Sequence, residues 1–233
     1  MEVVDVADFF EGSFVIDPEA LQEKLLQVKA YVFDWDGVFN NGVKDASGSS
    51  PFSEVDAMGT NMLRFSHYLR TAGSNAITVI ISGEQNEAAR TLAKREHFHR
   101  VYSGVKDKKE ALQHLCDAYG IGAHEVAFFF DDVLDLSIAE LCGMRAMLSR
   151  QGSPMFTHLV LDRKLADYIT YAHGGRNGLR EATELLMGLS GSYEDTIMQR
   201  VGWHDNYDRY ITQRNKEQTT FYAVSDGRIT EIN

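Results

Sequence analysis

Three apolar runs, each ending on a polar residue, limit this chain more than any other feature. Tyr31-Val32-Phe33 runs into Asp34, Ala76 to Ile81 runs into Ser82, and Val126 to Phe130 runs into Asp131. A strand with one wet face alternates apolar and polar residues, whereas a strand buried on both faces is apolar throughout. These runs alternate with helix-like segments, which is the pattern of a parallel sheet covered on both sides. Ligands of such sheets bind beyond the carboxyl ends of the strands. Asp34, Ser82 and Asp131 are therefore expected to meet at one edge.

The segments between the runs support this reading. Asp17-Pro18 opens a helix striped by Leu21, Leu25 and Val28, with Asp suited to the cap and Pro to the first turn. Helices are predicted over Met58 to Leu69, Glu84 to Lys94, Lys108 to Tyr119, Leu134 to Cys142 and Leu179 to Leu189. Gly120 supplies a left-handed stop. Short strands are predicted at Val101-Tyr102, Ala146-Met147-Leu148 and Tyr168-Ile169-Thr170. The fold class is α/β, a Rossmann-like three-layer sandwich with a mainly parallel sheet. Asn40 to Asp56, rich in Gly, Ser and Asn, reads as a hairpin or loop. With 233 residues, 44% of them hydrophobic, the chain can bury one substantial core. We read that core over residues 1–189 and a C-terminal extension over 190–233. The extension carries Trp203, Tyr207, Tyr210, Phe221 and Tyr222, and a hairpin is expected from Tyr222 to Ile232 around Asp226-Gly227. It would pack on the core or cover the site of a neighbouring copy.

Charge and composition exclude several functions. A net charge of −11 leaves no broad basic face for nucleic acid. No stretch reaches the ~18 apolar residues of a membrane span, and Met1 to Gly12 lacks the basic start and apolar run of a signal peptide. Cys116 and Cys142 are isolated, as reduced buried thiols would be. A cytoplasmic location is the expectation. No Glu or Cys builds a zinc pattern around His97 and His99. Neither G-x-S-x-G nor G-x-x-x-x-G-K occurs.

The acids are more informative. Asp34 and Asp36 stand two apart at a strand end, where an extended backbone points both side chains the same way. Two carboxylates so close raise one pKa unless a cation balances them, and magnesium favours such hard oxygen ligands. Solvated loop acids are the plainer reading of an isolated D-x-D. Gly37 suits a tight turn that brings backbone N–H groups towards an anion. Asp131, Asp132 and Asp135 form a second acidic cluster, which would otherwise be read as acids favoured at a helix N-terminus. Ser82-Gly83, between a strand and a helix, offers a hydroxyl and free N–H groups to a phosphate. Lys108 opens the next helix. By itself, like Lys106 and Lys109, it would be a solvated surface lysine.

The ordered set is Phe33-Asp34-Trp35-Asp36-Gly37-Val38, then Ser82-Gly83, then Lys108, then Asp131-Asp132-x-x-Asp135. It resembles the haloacid dehalogenase (HAD) superfamily of phosphatases, over roughly Val32 to Leu189. Within it, the chain is similar to the 3-deoxy-D-manno-octulosonate 8-phosphate (KDO 8-phosphate) phosphatase family. The closer signs are Asp107-Lys108, Ala166-Asp167-Tyr168-Ile169-Thr170, Gly174-Gly175-Arg176 and Leu179-Arg180-Glu181. The resemblance implies that Asp34 is the nucleophile and Asp36 the general acid and base. It implies that Asp34, the backbone carbonyl of Asp36 and Asp131 hold Mg²⁺, and that Ser82, Gly83 and Lys108 hold the phosphoryl group. Asp132 and Asp135 would orient Lys108 or metal-bound water. The implied substrate is a small phosphorylated sugar or sugar acid. The implied assembly is a homo-tetramer that uses the segment matching Asn40 to Asp56.

Spacing adds to this independently. The intervals Val38 to Ile81 and Gly83 to Lys108 are too short for a cap domain, so the site should be open to water unless a neighbouring subunit closes it. Three departures concern the substrate rather than the reaction. Phe130 replaces a Gly, Glu84 replaces an Arg after the second motif, and Val55-Asp56-Ala57 replaces Arg-Asp-Gly. Two other readings predict different things. A phospho-accepting receiver domain would place its Lys after the acidic pair, but Lys108 precedes it. A non-catalytic HAD-like binding or scaffold protein would not need both Asp34 and Asp36.

Overall fold

The computed structural model describes residues 2–225 and 227–232. The strands are β1 (Ser13–Phe14), β2 (Ala30–Phe33), β3 (Ile77–Ile81), β4 (Arg100–Ser103), β5 (Val126–Phe130), β6 (Met144–Ser149), β7 (Tyr168–His173), β8 (Thr220–Ser225) and β9 (Arg228–Ile232). They form one nine-stranded sheet in the order β1-β7-β6-β5-β2-β3-β4-β8-β9. Pairing is parallel from β7 across to β8, and antiparallel only for β1 and β9 at the edges. The main helices are α1 (Val3–Ala7), α2 (Pro18–Gln27), α3 (Glu54–Arg70), α4 (Glu87–Arg95), α5 (Lys108–Tyr119), α6 (Leu136–Ala139), α7 (Pro154–Asp162), α8 (Gly178–Leu189), α9 (Tyr193–Val201) and α10 (Asp205–Arg214).

Each apolar run divides its side chains between two cores. Tyr31 and Phe33 of β2 pack with Leu25, Leu63 and Leu186 from α2, α3 and α8. Ala30 and Val32 point the other way, to Leu112 and Leu115 of α5 and Ile138 of α6. β5 alternates likewise, with Phe129 on one side and Phe128 and Phe130 on the other. Burying each large side chain stabilises the fold by about 1.5–3 kcal/mol. Both faces of these strands are dry, which is why their sequences do not alternate.

Register brings the strand ends level. Phe33 lies opposite Ile80 on one side and Phe129 on the other. β2 sits between β3 and β5, so the chain leaves β2 on one side and later returns on the other. That is the switch point at which open α/β sheets bind ligands. The N–H of Asp34 donates to Phe129 O at 2.9 Å, and that of Ser82 to Tyr102 O at 2.8 Å, so both residues are anchored to neighbouring strands.

Several elements differ from expectation. The segment after Gly37 holds no paired strand, so of the two readings of Asn40 to Asp56, hairpin or loop, the structure has the loop, which ends where α3 starts at Glu54. Asp45 explains this locally: its Oδ1 accepts from the N–H groups of Ser47 and Ser49, and Gly48 takes φ +79°. Such side-chain-to-backbone bonds favour a turn over a ladder. α4 starts at Glu87, not Glu84, because Asn86 is its cap and accepts from Ala88 N and Ala89 N. The helix expected from Leu134 is a 3-10 turn, Val133–Asp135, followed by the short α6.

The tail is structurally part of the core. β8 lies beside β4, with Phe221 opposite Val101 and Tyr222 opposite Tyr102. The rings of Tyr102 and Tyr222 stack at 5.1 Å. Tyr207 and Tyr210 of α10 are buried against Phe65. β8 and β9 form the expected hairpin. Asp226 lies outside the described residues. Cys116 and Cys142 are buried and unbridged. Among the described residues, no helix is long and apolar enough to cross a membrane.

Candidate active site

The strand ends bring Asp34, Ser82, Lys108, Asp131 and Asp135 into one pocket of about 230 Å³, together with Asp36, Gly83, Glu84 and Lys106. Asp34 follows β2, Ser82 follows β3, Asp131 follows β5, and Lys108 is the first residue of α5. Asp107 caps that helix by accepting from Lys109 N at 3.0 Å, which fixes where the Lys108 side chain departs.

Lys108 is 3% exposed. Its Nζ donates to Asp34 Oδ1 at 2.6 Å and to Asp135 Oδ1 at 2.5 Å. Burial would lower its pKa, but attraction by Asp34 and Asp135 outweighs that and holds the ammonium well above its ordinary value. The other oxygen of Asp135 accepts from the N–H groups of Asp131 and Asp132. Asp135 therefore ties the loop after β5 to Lys108. Asp132 does not reach Lys108: it is largely exposed, caps the 3-10 turn through Val133 N at 2.7 Å, and lies 3.8 Å from Arg150.

The arrangement carries excess negative charge. One carboxylate oxygen from each of Asp34, Asp131 and Asp135 lies within 4.8 Å of the others. Burial, then repulsion by Asp135, raises the Asp34 pKa to about 7 despite Lys108. Burial, then Asp34, raises that of Asp131 to about 8 despite Arg150. Among the described residues Asp131 Oδ1 is buried with no hydrogen-bond partner, an orphan that would cost about 1–3 kcal/mol if it stayed unsatisfied. Hard oxygen donors, an unsatisfied carboxylate oxygen and surplus negative charge fit a divalent cation such as magnesium. Asp34 and Asp131 would hold it, with the Asp36 carbonyl in the set that the resemblance implies.

Asp36 lines the same pocket but is not one of the three clustered carboxylates. Lys44 Nζ donates to its Oδ2 at 2.7 Å and Ser50 Oγ to its Oδ1 at 2.5 Å. The loop after Gly37 thus folds over its own strand end. Gly37 has φ +86°, and a Cβ there would overlap Asp131 Oδ2, so only glycine suits both the backbone and the close approach. Ser82 is buried, and its Oγ accepts from Glu84 N at 3.3 Å. With α4 starting later, free helix N–H groups do not reach Ser82-Gly83. Glu84 forms an ion pair with Lys106 at the rim.

Lys44, Ser50 and Arg150 are absent from the sequence-derived set. Arg150 pairs with Asp131 through Nη2. It follows β6, a parallel strand beside β5, so the strand-end rule that picks out Asp34 could have found it. Nothing local in the sequence marks Lys44 and Ser50.

No family model matches the chain. Curated relatives do. It is 25% identical over 179 residues to the KDO 8-phosphate phosphatase KdsC of Salmonella typhi, covering 76% of this chain and 89% of that one. It is 23% identical over 175 residues to the Haemophilus influenzae enzyme, covering 73% and 89%. Among solved structures, the KDO 8-phosphate phosphatase of Moraxella catarrhalis superposes with TM-score 0.63 at 24% identity, covering 77% of this chain and 97% of that one. A probable YrbI-family phosphatase from Pseudomonas syringae gives 0.65 at 27% identity, covering 78% and 98%. The fold is that of the HAD-type phosphatases it superposes on, and the relatives support a hydrolase acting on phosphoric monoesters. Within that class the chain resembles KDO 8-phosphate phosphatase.

Proposed function

We propose that the protein is a magnesium-dependent phosphomonoesterase that acts on a small phosphorylated sugar acid like KDO 8-phosphate through an aspartyl-phosphate. The observation that carries this is the Asp34–Lys108–Asp135 chain, with Asp131 close enough to share a cation with Asp34. The Moraxella catarrhalis relative was solved with a magnesium ion, a phosphate ion and KDO, which supports the choice of metal and substrate class.

Asp34 attacks phosphorus as a carboxylate, and the bond from phosphorus to the sugar oxygen breaks as the acyl phosphate forms. Asp36 gives that leaving oxygen its proton and then takes one from the water that attacks the acyl phosphate, regenerating Asp34 and releasing phosphate. Lys108 and Ser82 hold the phosphoryl oxygens on the side away from the leaving group. Asp135 keeps the Lys108 ammonium aimed at Asp34. A Mg²⁺ ion bound by Asp34 and Asp131 supplies positive charge against the phosphoryl oxygens and the crowded carboxylates.

This reading includes the homo-tetramer implied by the resemblance, which light scattering on the purified protein checks. The decisive experiment is phosphate release from a panel of sugar phosphates with Mg²⁺. Turnover abolished by chelation and by Asp34→Asn is the expected result. Equal rates for Asp34→Asn and wild type would overturn the mechanism.

A further inference from the structure

Beside the catalytic pocket lies a second cavity of about 250 Å³. Its polar side chains are Asn41, Ser149, Arg150, Gln151, His173 and Arg176. Arg150 lines both cavities. The charges of the two differ sharply. The catalytic pocket carries Asp34, Asp36, Glu84, Asp131, Asp132 and Asp135, whereas among the described residues no acid lines its neighbour. Arg176 stands on an exposed turn after β7, and its guanidinium has no hydrogen bond or ion pair among the described residues. The turn is held firmly: a Cβ at Gly174 would overlap Gly37 O, and one at Gly175 would lie 2.5 Å from Asn41 N. The second cavity is thus built onto the loop that carries Asp36 and Gly37.

We infer that this cavity seats the carboxylate of the substrate, gripped by Arg150 and Arg176, while the phosphate occupies the pocket at Asp34. The inference rests on the phosphatase reading and adds where the second charge of the substrate goes. Two guanidinium forks match a planar carboxylate bidentately. Asn41, Ser149 and Gln151 supply neutral partners for the hydroxyls of a sugar chain. Arg150 spans from Asp131 to this cavity, so one side chain touches the seats of both charges. The placement also accounts for Glu84. An arginine there would serve an anion at the opposite rim, where Glu84 and Lys106 now neutralise each other.

The test compares kcat/KM for KDO 8-phosphate and glucose 6-phosphate, one with a carboxylate and one without. Calorimetric titrations of KDO and of inorganic phosphate accompany it. Arg176→Gln lies on an exposed turn and leaves the core intact. It is expected to lower the ratio of the two kcat/KM values at least tenfold, mainly through KM for the acid. It should weaken KDO binding by a similar factor, and Arg176→Lys should recover part of both. An unchanged ratio with unchanged KDO affinity overturns the inference, as does loss of phosphate affinity with KDO affinity retained. If wild type releases phosphate from neither substrate, the phosphatase reading fails. The KDO titration then decides the subsite by itself.

Discussion

Lys108→Met removes one ammonium and leaves two buried carboxylates without their partner. Met keeps the unbranched shape of the stem, so the cavity change is small and the lost charge dominates. Lys108, Asp34 and Asp135 are 3%, 7% and 1% exposed, so water cannot take over the missing interaction. Removing one partner of a buried pair costs about 3–5 kcal/mol. In a chain of this size each kcal/mol shifts Tm by about 2–4 °C, which places the expected fall at about 6–20 °C. Proton uptake by Asp34, already pushed up to about 7, softens the effect in mildly acidic buffer, so pH 8 with a chelator is the condition to use. The assay is a thermal scan of both proteins, checked by urea unfolding with equal m-values. A Tm within about 2 °C of wild type would show that Lys108 does not neutralise these acids and would refute the charge reasoning for the site. Turnover on any substrate that wild type accepts should fall by at least about a hundredfold.

Gly37→Ala places a methyl group against Asp131 in a left-handed backbone, which costs about 1–2 kcal/mol for the backbone alone. A lower Tm together with weaker stabilisation by Mg²⁺ is expected, and differential scanning fluorimetry over a magnesium titration reads both. His99 is pushed down to about 3 by burial and by Arg64 and Arg100, while its Nδ1 accepts from Thr78 N at 3.0 Å. A histidine depressed in the folded state contributes stability that is present above its unfolded pKa near 6.5 and lost as pH falls towards 3. Relative to His99→Gln, wild type should lose up to about 1.4 kcal/mol per pH unit between pH 6 and 4 in urea unfolding; parallel curves for the two proteins would refute this.

How much of this was legible depends on which forces act locally. The buried strands were readable because a double-faced strand has no freedom to place a polar residue, as Phe128, Phe129 and Phe130 show by pointing alternately into two cores. Asp34, Ser82 and Asp131 followed from the strand-end rule, and Gly120 ended α5 as its lack of a Cβ suggests. What failed depended on side-chain bonds, some local and some long-range, that hydrophobic pattern does not reveal. The loop after Gly37 could have closed into a hairpin, but Asp45 turns it back and Lys44 and Ser50 find Asp36. Asn86 captures the start of α4, which takes free helix N–H groups away from Ser82. Asp132 and Asp135 look equivalent in sequence. Only the turn between them decides that Asp135 faces Lys108 and Asp132 faces solvent. The parallel pairing of β8 with β4 was not readable from Phe221 and Tyr222, since aromatic residues spaced along a polar tail do not name the strand they will meet.

The charge balance of the pocket constrains what it can accept. Glu84 is matched by Lys106 and Asp36 by Lys44, and Asp132 is solvated. That leaves Asp34, Asp131 and Asp135 buried, with Lys108 buried beside them and Arg150 at the edge. Three negative charges against two positive ones cannot welcome a phosphate dianion, because in a poorly solvated site like charges at these separations repel by several kcal/mol. A divalent cation makes good the deficit for the phosphate but leaves little for a second anionic group. A carboxylate on the same substrate would therefore be repelled by the acids around Asp34 and drawn to the acid-free cavity behind Arg150. For a phosphorylated sugar acid, the same imbalance would sort the two ends and set which of them meets Asp34.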